Sequence, residues 1–344
     1  MKELLVFPSR FAWACLGFGC YLLAACGEPV PGTATSNASE QPSLAADASL
    51  PMLPAERPIH KRIDQPSILS CGGCHFEVYQ EWSDSLHGRA WTNANVQLAT
   101  RGFEKASCRK CHSPQPVLGS GLERAPDYRD FNQEDGVHCL SCHGLEDGVA
   151  AARTIPDAPC KPRFEPRLQS ANLCYPCHEP THGAFEEYRR SDAFALGLRC
   201  ADCHMQTRAS GLGHSHGANG GLNPEFVQRA LDWKVEQEDE RVLLTLTNRA
   251  GHRFPGEIPS RSFLIRVQHD LQEVELLTLR KPRKGESRED NRLEPDEVRT
   301  LSFQVPKSAQ SFQLELYFRP LPLTPLEHCF TLGRWSWERP AEAD

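Results

Sequence analysis

Five times between residues 71 and 204 the chain repeats Cys-x-x-Cys-His: Cys71-Gly-Gly-Cys74-His75, Cys108-Arg-Lys-Cys111-His112, Cys139-Leu-Ser-Cys142-His143, Cys174-Tyr-Pro-Cys177-His178 and Cys200-Ala-Asp-Cys203-His204. On a helix, positions i, i+3 and i+4 share one face. Two thiols so placed can add to the two vinyl groups of one porphyrin while the following His reaches its iron, the signature of c-type haem attachment. With 15 Cys and 14 His in 344 residues, independent placement would give about 0.03 such motifs. A zinc site built from Cys-x-x-Cys pairs needs no His directly after each second Cys. Thioredoxin-like use calls for one motif in a βαβ context. The pattern therefore predicts five covalently bound haem c groups, each held by both cysteines of a motif, with His75, His112, His143, His178 and His204 as the proximal iron ligands.

Outside the motifs lie Cys15, Cys20, Cys26, Cys160 and Cys329. Residues 1–25 carry Lys2 and Arg10 and then an apolar run, the form of an export signal and too short for a membrane span. The run ends Leu23-Ala24-Ala25-Cys26-Gly27 and resembles a bacterial lipoprotein signal, with Cys26 as the lipidated mature N-terminus and Cys15 and Cys20 lost with the signal. The alternative is an ordinary secretory signal. Either form predicts export to the cell envelope, on the periplasmic side or the surface. Lipid at Cys26 would anchor the chain to a membrane, with the outer membrane slightly favoured because Gly27, not Asp, follows Cys26. Residues 26–66, rich in Pro, Ala, Ser and Thr, read as a disordered tether, and His60 within them as a solvated linker residue. The net charge of −7 excludes nucleic-acid binding as the expected role.

Residues 67–224 are poor in long apolar runs and rich in Gly and Pro. They predict a mainly α and loop pentahaem domain in which the porphyrins themselves fill the core. Residues 225–344 change character, with alternating or β-branched runs at 231–236, 241–247, 263–269, 274–279, 298–305 and 312–318. These predict a small all-β, immunoglobulin-like sandwich. Cys160 and Cys329, in an oxidising compartment, could join the two domains, although sequence separation says nothing of geometry.

Nine histidines stand outside the motifs, and what each iron carries on its second side decides between a carrier and an enzyme. His87 follows the first motif on a helix-like run leading away from His75, which points it to a different haem. His138 immediately precedes Cys139 and suits a bridge to a neighbouring haem. His182 either ligates or caps its own short segment. Of His214 and His216, in a Gly-rich loop, one is expected to ligate, with His216 favoured. His252 sits in Asn248-Arg-Ala-Gly-His-Arg-Phe-Pro-Gly256, a turn suited to presenting it to the haem domain. For Met205 a packing role is preferred to ligation, and His269 and His328 read as structural.

The run Cys71 to Ala90, a haem motif followed by Glu81-Trp82-x-x-Ser85-x-His87-x-x-Ala90, resembles the cytochrome c-554/c-552 type of multihaem cytochrome. Val137-His-Cys-Leu-Ser-Cys-His-Gly144 and Leu198-Arg-Cys-Ala-Asp-Cys-His-Met205 resemble the wider superfamily that includes pentahaem nitrite reductase and hydroxylamine oxidoreductase. The resemblance implies closely stacked, mostly bis-His haems and electron transfer. It also shows a departure, since the nitrite reductases have a Lys in place of one motif His and all five motifs here end in His. A β tail with an Asn-x-x-Gly-His-x-x-Pro loop is similar to that of other multihaem cytochromes. The sequence thus predicts an exported, lipid-anchored pentahaem carrier serving redox partner proteins rather than an enzyme. Two alternatives stay open: an oxidoreductase with one open haem acting on a small nitrogen or sulfur oxyanion, and a docking subunit of a larger redox complex.

Overall fold

The structure is a computed structural model that describes residues 68–340 apart from 212 and 260. The signal, the lipidation site Cys26, the tether and His60 lie outside the described residues. The described residues all fall in one compact unit.

Up to Gln228 the described chain is a string of short helices and turns, the longest being Phe76–Asp84 at nine residues. Local chemistry explains the brevity. Asn93 starts the helix Ala94–Thr100 by accepting from the N–H groups of Asn95 and Val96, and Arg101 ends it in the left-handed region. A small sheet interrupts the helices: β1 (Gly144–Leu145) pairs antiparallel with β2 (Gly148–Ala151), and β2 pairs parallel with β3 (Arg163–Phe164).

The remainder is all β. Strands β4 (Leu231–Glu238), β5 (Arg241–Asn248) and β8 (Val298–Gln304) form one sheet in the order β4-β5-β8. Strands β6 (Ser262–His269), β7 (Gln272–Leu279), β9 (Ser311–Arg319) and β10 (Phe330–Glu338) form a second in the order β10-β9-β6-β7. Every pairing in these two sheets is antiparallel. The period of two sends Val242, Leu244 and Leu246 of β5 and Phe312, Leu314 and Leu316 of β9 into a single core shared by both sheets. Burying each such side chain contributes about 1.5–3 kcal/mol.

The six predicted strands are all present, within one or two residues at most ends. The seventh, β10, was not anticipated. Gly333 interrupts its pattern where the register with β9 shifts, and only Leu332 is fully buried. A Cβ at Gly333 would collide with the ring of Trp233 from the other sheet, so the packing that requires this glycine also hides the strand from a periodicity reading.

Both continuous apolar clusters among the described residues lie in the β part. The helical part has scattered buried residues such as Phe103, Leu118 and Phe185, and leaves Leu69, Phe76, Leu98 and Leu196 largely exposed. A charged seam joins the two parts. Arg292, 2 % exposed, donates to Glu257 at 2.7 Å, to Asp290 at 2.7 Å and to Glu187 of the helix Ala184–Tyr188 at 3.3 Å. Glu187 also accepts from the Arg253 N–H at 2.9 Å, and Lys281 pairs with Glu257 at 3.2 Å.

Burial and the neighbouring Glu257 carboxylate push Glu187 up to about 8. The folded state therefore holds this proton more tightly than the unfolded chain, whose carboxyls titrate near 4.3. The stability it contributes is complete below that ordinary range and is lost as pH rises to about 8. Urea titrations at pH 6 and pH 9 should show a larger fall in midpoint for the native protein than for Glu187→Gln; equal falls would exclude this group as the source.

Candidate haem-binding site

Each motif sits on or against a single helical turn. Ile68–Cys74 carries Cys71 and Cys74, with His75 capping the next helix; Ala106–His112, Cys139–His143 and Cys200–His204 each hold theirs whole or nearly so; Tyr175–His182 begins just after Cys174. The motifs are close neighbours. The thiols of Cys71 and Cys139 are in hydrogen-bond contact, as are those of Cys111 and Cys177 and those of Cys174 and Cys200. Cys142 interacts electrostatically with Cys174 and Cys177. The first motif thus adjoins the third, the third the fourth, and the fourth both the second and the fifth.

Three imidazole pairs stand out. His87 faces His178 with ring centres 6.2 Å apart, His216 faces His143 at 6.3 Å, and His252 faces His204 at 6.2 Å. Two imidazoles bonded at about 2.0 Å to opposite sides of one metal, each ring centre about 1.1 Å beyond its nitrogen, lie about 6.2 Å apart. The ring separations therefore match those of two imidazoles on one iron. In the His143–His216 and His204–His252 pairs the second nitrogens fit too. Nδ1 of His143 points at the Ala150 carbonyl (3.0 Å), of His204 at Asn219 (2.6 Å), of His216 at His214 (3.0 Å) and of His252 at Arg253 (3.1 Å). His112 does the same with Ala90 at 2.9 Å. A carbonyl only accepts, so each Nδ1 carries the hydrogen and each Nε2 keeps its lone pair for a metal. Burial pushes the pKa of His87, His112, His143 and His252 down, and those of His204 and His216 to about 4, so the rings are neutral as ligation requires.

The sequence places these partners by local devices. The helix Phe76–Asp84 stops before His87, because the Ser85 hydroxyl donates to the Trp82 carbonyl and accepts from the Gly88 N–H. The turn that follows presents His87. Trp82 Nε1 donates to the Val137 carbonyl at 2.7 Å, and the His87 carbonyl accepts from Val137 N–H at 3.0 Å, locking the turn to the segment before the third motif. Gly136, at φ 59°, lies against that same carbonyl, where a side chain would clash. Glu81 holds the loop bearing His216 by accepting from its N–H (2.8 Å) and from Arg208 (2.6 Å). In the β part, the Asn248 carboxamide, fully buried, donates to the carbonyls of His252, Leu293 and Glu294 and so shapes the loop that carries His252 across the seam.

Residues 70–144, spanning the first three motifs, match the family model described as cytochrome c554 and c-prime. The fold is similar to that of a penta-heme cytochrome c552 from Thermochromatium tepidum, with a TM-score of 0.63 and 16% identity over 80% of this chain and 99% of that one. No curated protein matches. Over the segment of the first three motifs the chain is thus similar to cytochromes of the c-554 type, and its fold is similar to that of a penta-heme cytochrome.

The likeness supports haem c binding, and a multihaem c-type cytochrome implies electron transfer. Not every predicted ligand takes the place foreseen for it. His138 was expected to bridge to a neighbouring iron. Instead its Nδ1 accepts from the Ser141 N–H at 3.1 Å while Ser141 Oγ accepts from the His138 N–H at 3.2 Å, a reciprocal cap on the third motif helix. An accepting Nδ1 puts the hydrogen on Nε2, and burial beside Arg129 pushes this pKa down to about 3, so the ring offers no lone pair to a metal. The signal was available in the sequence: a polar residue three before Ser141 at a helix start. His214 donates from Nδ1 to the Met205 carbonyl at 2.6 Å, leaving Nε2 free, but among the described residues no second ring faces it. The His182 side chain lies outside the described residues. Cys160 is exposed and Cys329 buried with its thiol 3.3 Å from the Pro325 carbonyl, and both are free rather than joined. His138→Ala should cost about 0.5–2 kcal/mol of stability through the lost cap and leave the low-spin haem signals in electron paramagnetic resonance intact; loss of one such signal would restore it as a ligand.

Proposed function

We propose that this protein is an exported, lipid-anchored pentahaem electron carrier. The observation that carries the reading is the set of three imidazole pairs at iron-bridging separation. Cys71 and Cys74, Cys108 and Cys111, Cys139 and Cys142, Cys174 and Cys177, and Cys200 and Cys203 would each hold one haem c, with the following His on the iron. His87 would complete the site of His178, His216 that of His143, and His252 that of His204. When bound, each haem supplies one reversible electron between ferric and ferrous iron.

The chain's own residues do the rest. Two imidazoles per iron leave no position for a substrate, which suits transfer rather than chemistry. Neutral, carbonyl-tethered rings need little rearrangement on reduction. The contacts among motif cysteines set an order in which the first site adjoins the third, the third the fourth, and the fourth both the second and fifth. With no apolar cluster of its own among the described residues, the motif region would take its core from the porphyrins. Lettered A to G, strands β4 to β10 give the order A-B-E opposite G-F-C-D, which supports an immunoglobulin-like reading of the sandwich. Partners would be other redox proteins outside the cytoplasm. Among the described residues no helix is long and apolar enough to cross a membrane, and attachment in this reading rests on Cys26. The intact mass of the mature protein should show five haem additions and an acylated N-terminal Cys26, and His87→Ala, His216→Ala and His252→Ala should each convert one low-spin haem to high spin.

A second reading, one open haem acting on a small nitrogen or sulfur oxyanion, is favoured by His138 serving as a cap. Among the described residues no imidazole faces His75 or His112, and His214 and His182 remain for two sites. A high-spin signal in the native protein, displaced by nitrite or hydroxylamine, would establish this reading, and five low-spin signals would eliminate it.

A further inference from the structure

The fifth motif has an electrostatic feature that the other paired motifs lack. Arg261, immediately before β6, packs its guanidinium against bare backbone: a Cβ on Gly221 would lie 2.7 Å from Cζ, and one on Gly256 3.7 Å from Nη1. Its Nε is buried with no hydrogen-bond partner, and among the described residues no carboxylate pairs with it. Burial pushes its pKa down. Its charge is felt by both His204 and His252, so it stands beside the very pair that would sandwich an iron.

Other arginines near the sites differ. Arg208, close to His216, also has an unpartnered Nε, but its Nη2 holds Glu81 at 2.6 Å. Arg292 in the seam is enclosed by Glu187, Glu257 and Asp290. A partly buried guanidinium whose Nε has neither a hydrogen-bond partner nor a counter-charge is unfavourable. A chain retains one where an anion from elsewhere completes it, and a haem c brings two carboxylates, its propionates. We propose that Arg261 is the counter-charge for a propionate of the haem held by Cys200, Cys203, His204 and His252, and that its positive charge raises the reduction potential of that haem. The sign follows from charge alone, since oxidised iron carries one more positive charge than reduced iron and a nearby cation disfavours it.

This inference rests on the haem and ligand assignment proposed above, so the test separates the two. Intact mass counts the haems, and loss of one low-spin signal in His252→Ala confirms the axial pair; failure of either removes the assignment and with it the role of Arg261, whereas unchanged potentials with both in place remove that role alone. With both in place, a spectroscopic redox titration of the full-chain Arg261→Gln protein should move one haem to lower potential, equivalent to about a tenfold change in its oxidised-to-reduced ratio at fixed potential, with the other transitions in place. Arg261→Lys, which keeps the charge, should titrate close to the native protein. Unchanged potentials in Arg261→Gln would overturn the proposal, as would equal shifts in the Gln and Lys variants. Should Arg261→Gln not accumulate with its haems, Arg261→Lys decides: native-like potentials support the proposal and a displaced transition overturns it.

Discussion

An imidazole has two nitrogens, and the group that holds the first decides what the second can do. Six histidines in this protein donate Nδ1–H to a backbone carbonyl: His112, His143, His204, His214, His216 and His252. Each is left with an Nε2 lone pair in a site where burial keeps the ring neutral or, at His214, half-buried. His138 is held the other way round, by a backbone N–H, and is thereby spent on capping a helix. The same residue type, a few residues from the same motif, is sorted into ligand or structural element by the direction of one hydrogen bond. Two of the three facing pairs, His143 with His216 and His204 with His252, depend on that sorting.

The two halves of the described chain solve the problem of a core differently. The sandwich buries its own, with β5 and β9 supplying alternate Leu, Val and Phe to one shared layer. The helical half has many short helices, none long enough to bury a continuous apolar stripe, and it leaves several large apolar side chains exposed. Its tertiary contacts are mainly polar tethers such as Trp82 to Val137 and Glu81 to the loop of His216. Such tethers position side chains well and stabilise little, each net hydrogen bond contributing about 0.5–1.5 kcal/mol. The covalent haems of the proposed function would supply what the tethers cannot.

Much of this was legible in sequence, for identifiable reasons. The motif geometry is local, five residues on little more than one turn, so spacing alone exposed it. Strand alternation in β5 and β9 is also local. Distal partners are not. His87 lies 91 residues before His178 and His216 lies 73 after His143, separations over which no periodicity carries information. His87 was expected on a helix, yet the Ser85 hydroxyl ends that helix one turn early, a competition between side chain and backbone for one carbonyl. Adjacency to Cys139 suggests a bridge for His138, but its ring is held by the Ser141 N–H in a cap on the same short helix. Cys160 and Cys329 were considered together only because both were left over, and the fold keeps them free.

The placement of His252 bears on what the sandwich is for. A domain that served only for docking would need no contact with the motif helices beyond a linker. Here the Asn248 side chain, buried at the end of β5, shapes the loop of His252 from inside the sandwich. Gly251 lets that loop approach Ala193 of the helical half, where a Cβ would stand 3.2 Å from the Ala193 side chain. Arg292 then clamps the seam from the sandwich side through Glu187. The sandwich core therefore fixes the position of an imidazole facing the fifth motif. In a protein whose proposed function depends on iron ligands being held without rearrangement, that would make the β domain part of the redox site, since the rigidity of a distal ligand is set by whatever anchors its loop, and this loop is anchored at the sandwich core.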